Sequence, residues 1–134
     1  MASPSRPGVY PHDPVMPVPL AAHPAKAHDH LVDAAIYREL QRALSAGEPV
    51  ALATVTRARG STPRKPGAKM LIRADGSFFG TIGGGCGEAE VWQEAMATLE
   101  DGRPRMVVVD LTEPTDGDDK ICGGVMDVFV ERLG

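Results

Sequence analysis

The chain has 134 residues, and 7 of its 12 prolines fall within the first 24 positions, so that one domain's worth of sequence remains behind a Pro-rich front. Hydrophobic residues make up 43% and charged residues 24%, which excludes a collagen, a coiled coil and a fully disordered chain. A formal net charge of -4 argues against a general nucleic-acid binder, because counterion-release binding needs a surplus of Lys and Arg. No apolar run is long enough for a bilayer span, and no basic stretch leads into an apolar segment at the N-terminus. The expectation is a soluble, cytoplasmic protein without a membrane partner. Cys86 and Cys122 stand outside any Cys-x-x-Cys pair, too few for a zinc site or a disulfide framework, and read as free thiols.

Residues 1–28 lack helical or alternating periodicity and are expected to form a disordered, partly polyproline arm. The four histidines, His12, His23, His28 and His30, sit in or beside it. The domain is placed at 29–134. A helix is expected from an Asp29 N-cap, with Val32, Ala35, Ile36, Leu40, Ala43 and Leu44 at three- and four-residue spacing before Gly47. Val50 to Thr56 reads as a buried strand. Arg57 to Gly67 reads as a turn-rich segment. Two strands, Ala68 to Arg73 and Ser77 to Ile82, flank Asp75-Gly76, a strong hairpin signal. A second helix follows the glycine loop from Glu88 to Glu100, with Val91, Trp92, Ala95, Met96 and Leu99 on one face. Arg105 to Leu111 and Val125 to Leu133 complete the strands, the last with Met126, Val128 and Val130 on one side. The order predicts an α+β domain: two helices and a mixed or antiparallel sheet of about five strands.

Three glycine-marked loops carry the candidate chemistry, since each leaves backbone N–H groups available. Arg57 to Arg73 holds six basic residues and no acid, with Ser61 and Thr62 among them, a composition suited to a phosphate or other polyanion. A solvated basic hairpin is the competing reading, and the acidic stretch containing Asp110, Glu113, Asp116, Asp118 and Asp119 offers an alternative partner for it. Gly83, Gly84 and Gly85 precede Cys86, Gly87 and Glu88 at a helix start, an anion-binding arrangement that matches neither a Walker loop nor the dinucleotide fingerprint. Cys86 in that loop, and Cys122 before Gly123 and Gly124, have few packing neighbours in sequence, which favours reactive thiols over small buried hydrophobes.

The segments GSTPRKPGAKMLI (60–72), GTIGGGCGEAEV (80–91) and CGGVMDVFVE (122–131) together resemble the N-terminal domain of the XdhC/CoxI family, in order and from about Ala34 onward. The resemblance implies a maturation factor for molybdenum hydroxylases of the xanthine or carbon monoxide dehydrogenase type. Such a factor binds the molybdenum cofactor (molybdopterin), holds it for sulfuration and hands it to the apo-enzyme, as an accessory binding protein rather than an enzyme. On that implication Ser61, Thr62, Arg64, Lys65 and Lys69 meet the phosphate or pterin. Gly83, Gly84, Gly85, Glu88, Gly123 and Gly124 complete the cradle, and Cys86 and Cys122 face the metal or carry sulfur. The implied partners are an apo molybdenum hydroxylase, a cysteine desulfurase, a separately encoded Rossmann-like domain that many members carry at their C-terminus, and a further copy of the chain as a homo-oligomer. Two competing readings are a thiol-based sulfur carrier or redox protein, and a non-catalytic half that docks on the Rossmann-like partner. One departure stands out: Gly87 occupies a position where the resemblance leads one to expect a branched apolar residue.

Overall fold

The computed structural model describes residues 27–83, 87–112 and 123–134, with the side chains of the first helix from position 33 onward. The elements are α1 (Ala27–Ser45), β1 (Val50–Gly60), β2 (Lys69–Arg73), β3 (Phe78–Gly80), α2 (Glu88–Asp101), β4 (Arg105–Asp110) and β5 (Gly124–Leu133). They build one small α+β domain around a five-stranded sheet of order β3-β2-β1-β5-β4. Every pairing is antiparallel, which decides between the mixed and antiparallel expectations. No described helix is long and apolar enough to cross a membrane.

Both faces of the sheet carry apolar side chains because β1 is apolar on successive residues rather than alternate ones. Ala51, Ala53 and Val55 turn to one face with Met70, Ile72, Val107, Val109, Met126, Val128 and Val130, where Val91, Ala95 and Leu99 of α2 cover them. Val50, Leu52 and Leu71 turn to the other, where Ile36 and Ala43 of α1 are buried and Leu40 packs beside them. Full burial of a side chain such as Ile36 stabilises by about 1.5–3 kcal/mol. An ion pair from Arg73 to Glu39 ties β2 to α1 as well.

Two boundaries depart from the sequence reading. Helix α1 begins at Ala27, so Asp29 lies inside the helix and is not its N-cap. Strand β1 runs on through Arg57 to Gly60, residues that sequence alone assigns to a turn-rich loop. Pairing supplies the reason: Arg57, Ala58, Arg59 and Gly60 find partners in Asp127, Met126, Val125 and Gly124 after a bulge that leaves Thr56 without an opposite residue. Thr56 uses its hydroxyl to donate to the Asp127 carbonyl at 3.1 Å.

The Asp75-Gly76 hairpin forms as its sequence predicts. Asp75 accepts from the Ser77 amide at 2.8 Å, while the Arg73 amide donates to the Ser77 carbonyl at 2.8 Å. The Ser77 hydroxyl and amide together hold the Asp75 carboxyl below its usual range. From α2, the Trp92 indole N–H donates to the Gly76 carbonyl at 2.9 Å and fixes the turn to the core. At the other end of α2, Gly102 closes the helix in the left-handed conformation, its amide donating to Thr98 at 2.8 Å.

Candidate cofactor site at one end of the sheet

Antiparallel pairing sorts the loops into two ends. The register puts the C-terminal ends of β1, β3 and β4 level with the N-terminal ends of β2 and β5. The described parts of the connections, residues 61–68, 81–83, 87, 111–112 and 123, therefore share one end. They belong to the three glycine-marked segments of the sequence. The Asp75-Gly76 turn and the connection from α2 to β4 occupy the opposite end.

Contacts among the described residues bring two of the loops together directly. Arg64 donates through Nη1 to the Thr81 carbonyl at 3.2 Å. The Thr81 hydroxyl accepts from the Gly83 amide at 3.1 Å and donates to the Glu88 carboxylate. One threonine thus connects the basic loop, the start of the glycine loop and the first turn of α2. Thr81 was not among the sequence candidates. Its signal was the hydroxyl two residues before Gly83, the spacing at which Ser and Thr bond the backbone of their own turn.

The third loop is pressed onto the first. A β-carbon placed on Gly124 would lie 2.6 Å from the Ser61 carbonyl oxygen, 2.6 Å from Thr62 Cγ2 and 2.8 Å from the Arg59 carbonyl oxygen. Only a residue without a side chain permits that approach. Beyond it, the Gly123 amide donates to the Leu111 carbonyl at 3.0 Å, and the Leu111 amide to the Gly124 carbonyl at 2.8 Å.

The basic stretch does not act as a unit. Arg59 pairs with Asp127 at 3.2 Å, and Arg73 is committed to Glu39 at the far end of β2. The Lys69 ammonium donates to the Gly67 carbonyl at 3.3 Å and so stays on its own turn, whereas Lys65 is exposed and contributes only its backbone carbonyl, which accepts from the Ala68 amide at 3.1 Å. Thr62 spends its hydroxyl proton on the Arg64 carbonyl at 2.9 Å, which stiffens the loop. Ser61 is exposed and Arg64 half-buried. Gly84, Gly85, Cys86 and Cys122 lie outside the described residues, as do the acidic positions 113–119. Asp110, the acidic residue before them, is bonded by the Thr112 hydroxyl and amide, which hold its carboxyl below the usual range. No group of three His, Cys, Asp or Glu capable of holding a metal occurs among the described residues.

Helix α2 opens on Gly87 at a φ of +75°, and among the described residues no side chain caps its start. A β-carbon at this position would fall 2.2 Å from Val109 Cγ1. The glycine is thus set by both its backbone and its neighbour, which accounts physically for the departure from a branched apolar residue. An uncapped helix start leaves donors available to an acceptor outside the chain.

Comparison with known proteins identifies the family. The profile of the XdhC and CoxI family matches residues 43–110. The uncharacterized protein YqeB of Escherichia coli K12 is 43% identical over 64% of this chain and 16% of its own length. The molybdenum cofactor insertion chaperone PaoD of the same organism is 33% identical over 73% of this chain and 31% of its own. A probable xanthine dehydrogenase subunit of Bacillus subtilis is 33% identical over 64% and 27%, respectively. The crystal structure of a xanthine dehydrogenase from Bacillus halodurans superposes with a TM-score of 0.63 at 31% identity, over 72% of this chain and 30% of that one. The chain therefore spans less than a third of these curated relatives. With the profile covering half of the sequence, the chain belongs to the XdhC and CoxI family.

Proposed function

We propose that the chain is a molybdenum-cofactor maturation module that holds the cofactor for sulfuration and delivery to a molybdenum hydroxylase. The observation that carries this reading is the linkage of the basic loop, the glycine loop and the start of α2 through Thr81. The name borne by PaoD supports the same direction.

The donor set suits molybdopterin, which supplies a phosphate, a pterin edge of donors and acceptors, and a soft sulfur-held metal. Arg64 has one N–H engaged by Thr81, which leaves the rest of its guanidinium fork for a phosphate. The open first-turn amides of α2 and the Ser61 hydroxyl add neutral donors. Lys65 and Lys69 contribute positive potential from the adjoining turn. Glu88, oriented by the Thr81 hydroxyl, is suited to the N–H groups of a pterin rather than to the phosphate. Gly124 keeps the Ser61 loop close without a side chain in the way, and Gly123, where a β-carbon would meet nothing within 4 Å, extends the cradle beside it. Cys86 and Cys122 are proposed as the sulfur-bearing groups that face the metal, with a cysteine desulfurase as the sulfur source.

The test is co-expression of the chain with a molybdenum source, followed by metal and pterin analysis of the purified protein. Stoichiometric pterin and molybdenum are expected, with a loss of at least about tenfold in an Arg64→Ala, Lys65→Ala variant, as two charge-assisted contacts would give. Undiminished binding there overturns the role of the basic loop. Full occupancy in a Cys86→Ala, Cys122→Ala variant overturns the role of the thiols.

A further inference from the structure

Among the described residues, two polar side-chain atoms are sealed from solvent without a hydrogen-bond partner: Arg73 Nε and Asp33 Oδ1. Arg73 is otherwise engaged, since its Nη2 donates to Glu39. Asp33 has no such contact. A carboxylate oxygen withdrawn from water without a donor is costly, and in a folded chain it calls for a donor from outside. Helix α1 itself supplies no reason for an acid here. Asp33 is its seventh residue, beyond the first turn where the helix dipole favours acids, and aspartate is a poor former of helix interiors.

The course of α1 fixes where Asp33 stands. A β-carbon on Gly80 would fall 2.7 Å from Ile36 Cδ1 and 2.7 Å from the Lys69 carbonyl oxygen. Ile36 therefore sits over the last residue of β3 and the first of β2, at the end of the sheet that carries residues 61–68 and 81–83. Farther along α1, Glu39 pairs with Arg73, and Leu44 Cδ2 lies 3.1 Å from a β-carbon placed on Gly134, both at the opposite end. Asp33 precedes Ile36 by three residues, so it lies about 4.5 Å nearer the loops. Helical side chains also lean toward the N-terminus. The carboxylate thus stands level with Lys69 and the start of the 81–83 connection. No cation among the described residues answers it. Lys69 is turned to Gly67, Arg64 to Thr81 and Arg73 to Glu39, while Lys65 and Arg38 are exposed and make no ion pair. Nor does Asp33 belong to any group of three described His, Cys, Asp or Glu capable of holding a metal.

We infer that Asp33 is a ligand-binding residue of this end, whose carboxylate accepts from the amino group and adjacent ring N–H of an aminopyrimidinone edge, the edge that pterins share with guanine. The inference rests on the reading of this end as a pterin site. A carboxylate offers two in-plane acceptors and that edge two parallel donors, so each satisfies the other. No hydrogen bond holds Oδ1, and the terminal torsion of aspartate is broad, so the carboxyl can turn to meet the edge without giving up a contact. Glu88 differs, because it already accepts from the Thr81 hydroxyl. Asp33 is thereby assigned the aminopyrimidinone edge, and Glu88 the N–H groups of the pterin's other ring.

The test titrates the full 134-residue chain with 6-hydroxymethylpterin phosphate and with its lumazine counterpart, in which a carbonyl replaces the amino group. Wild type is expected to bind the pterin at least about tenfold more tightly, as one charge-assisted contact would give. Asp33→Asn, of the same shape, should remove that preference and leave lumazine binding unchanged, whereas Arg64→Ala should weaken both ligands alike through the phosphate. Because Asp33 Oδ1 bonds to nothing within the chain, the melting temperature of unliganded Asp33→Asn should match or exceed that of wild type. A preference kept in Asp33→Asn, or a melting temperature lowered by more than a few degrees, as a structural carboxylate would give, overturns the inference and leaves the cofactor reading standing. Guanosine monophosphate bound more tightly than the pterin overturns it in favour of a nucleotide. Binding of neither pteridine by wild type up to about 1 mM overturns the cofactor reading, and the inference with it.

Discussion

Substitution of Gly87 by alanine tests the link between the candidate site and the core more sharply than any change to a charged residue. At a φ of +75°, an L side chain is strained by about 1–2 kcal/mol. Its methyl would also sit 2.2 Å from Val109 Cγ1, and Val109 is 1% exposed with little freedom at χ1, so the overlap adds about 1–3 kcal/mol. A stiffer unfolded chain returns less than about 1 kcal/mol. The net expectation is a loss of about 1.5–4 kcal/mol, a large share of the roughly 5–15 kcal/mol typical of a domain. The melting temperature should fall by at least about 6 °C. Urea unfolding of Gly87→Ala, Val109→Ala and the double variant gives the coupling. Val109→Ala creates a cavity alone, yet should recover about 1–2 kcal/mol in the Gly87→Ala background because it removes the clashing methyl. Gly87→Val, the residue type that the family resemblance suggests, should be worse than alanine. A Gly87→Ala protein within about 0.5 kcal/mol of wild type, or a cycle with no coupling, would refute the account of this helix start.

Two further outcomes follow from single hydrogen-bond networks. Thr81→Val keeps the shape but removes the hydroxyl that joins Gly83 to Glu88; it should cost about 1–3 kcal/mol in urea unfolding and lower cofactor occupancy, with Arg64 still able to reach the backbone carbonyl. Occupancy equal to wild type would detach Thr81 from the proposed site. Asp101 is held well below the usual carboxylate range, chiefly by hydrogen bonds from Arg105 at 2.9 and 2.6 Å and then by the Arg103 amide. Because its folded-state pKa is depressed, its contribution is fully present above the ordinary carboxylate pKa and is lost as pH falls through the folded value. Asp101→Asn should therefore flatten the fall of melting temperature in the acid range while leaving the site end of the sheet unaffected, a comparison readable from melts at stepped pH. An acid-range slope identical to wild type would remove Asp101 from that account.

Sequence alone determined the local elements, because their causes are local. The Asp75-Gly76 pair needed only its own turn chemistry, and α2 only its apolar spacing and Gly102. The alternation of Met126, Val128 and Val130 likewise predicted a buried face that the structure contains. Three glycine loops with basic and thiol residues were visible as a composition, and as a family resemblance, before any contact was known.

Tertiary structure decided what depends on distant partners. The extension of β1 to Gly60 rests on pairing with residues more than sixty positions away, which no local propensity encodes. The basic stretch was divided in the same way, since Asp127 and Glu39 claim Arg59 and Arg73 and leave Arg64 for the site. Gly87 shows the separation most plainly. In sequence it is a departure from a family pattern, and in the fold Val109 and a left-handed backbone leave room for no other residue. Helix α1 starts at Ala27 and so takes in Ala27 and His28, which the sequence reading assigns to the Pro-rich arm. What the sequence could place in order, antiparallel pairing placed together, because it alone sets which ends of which strands share a side.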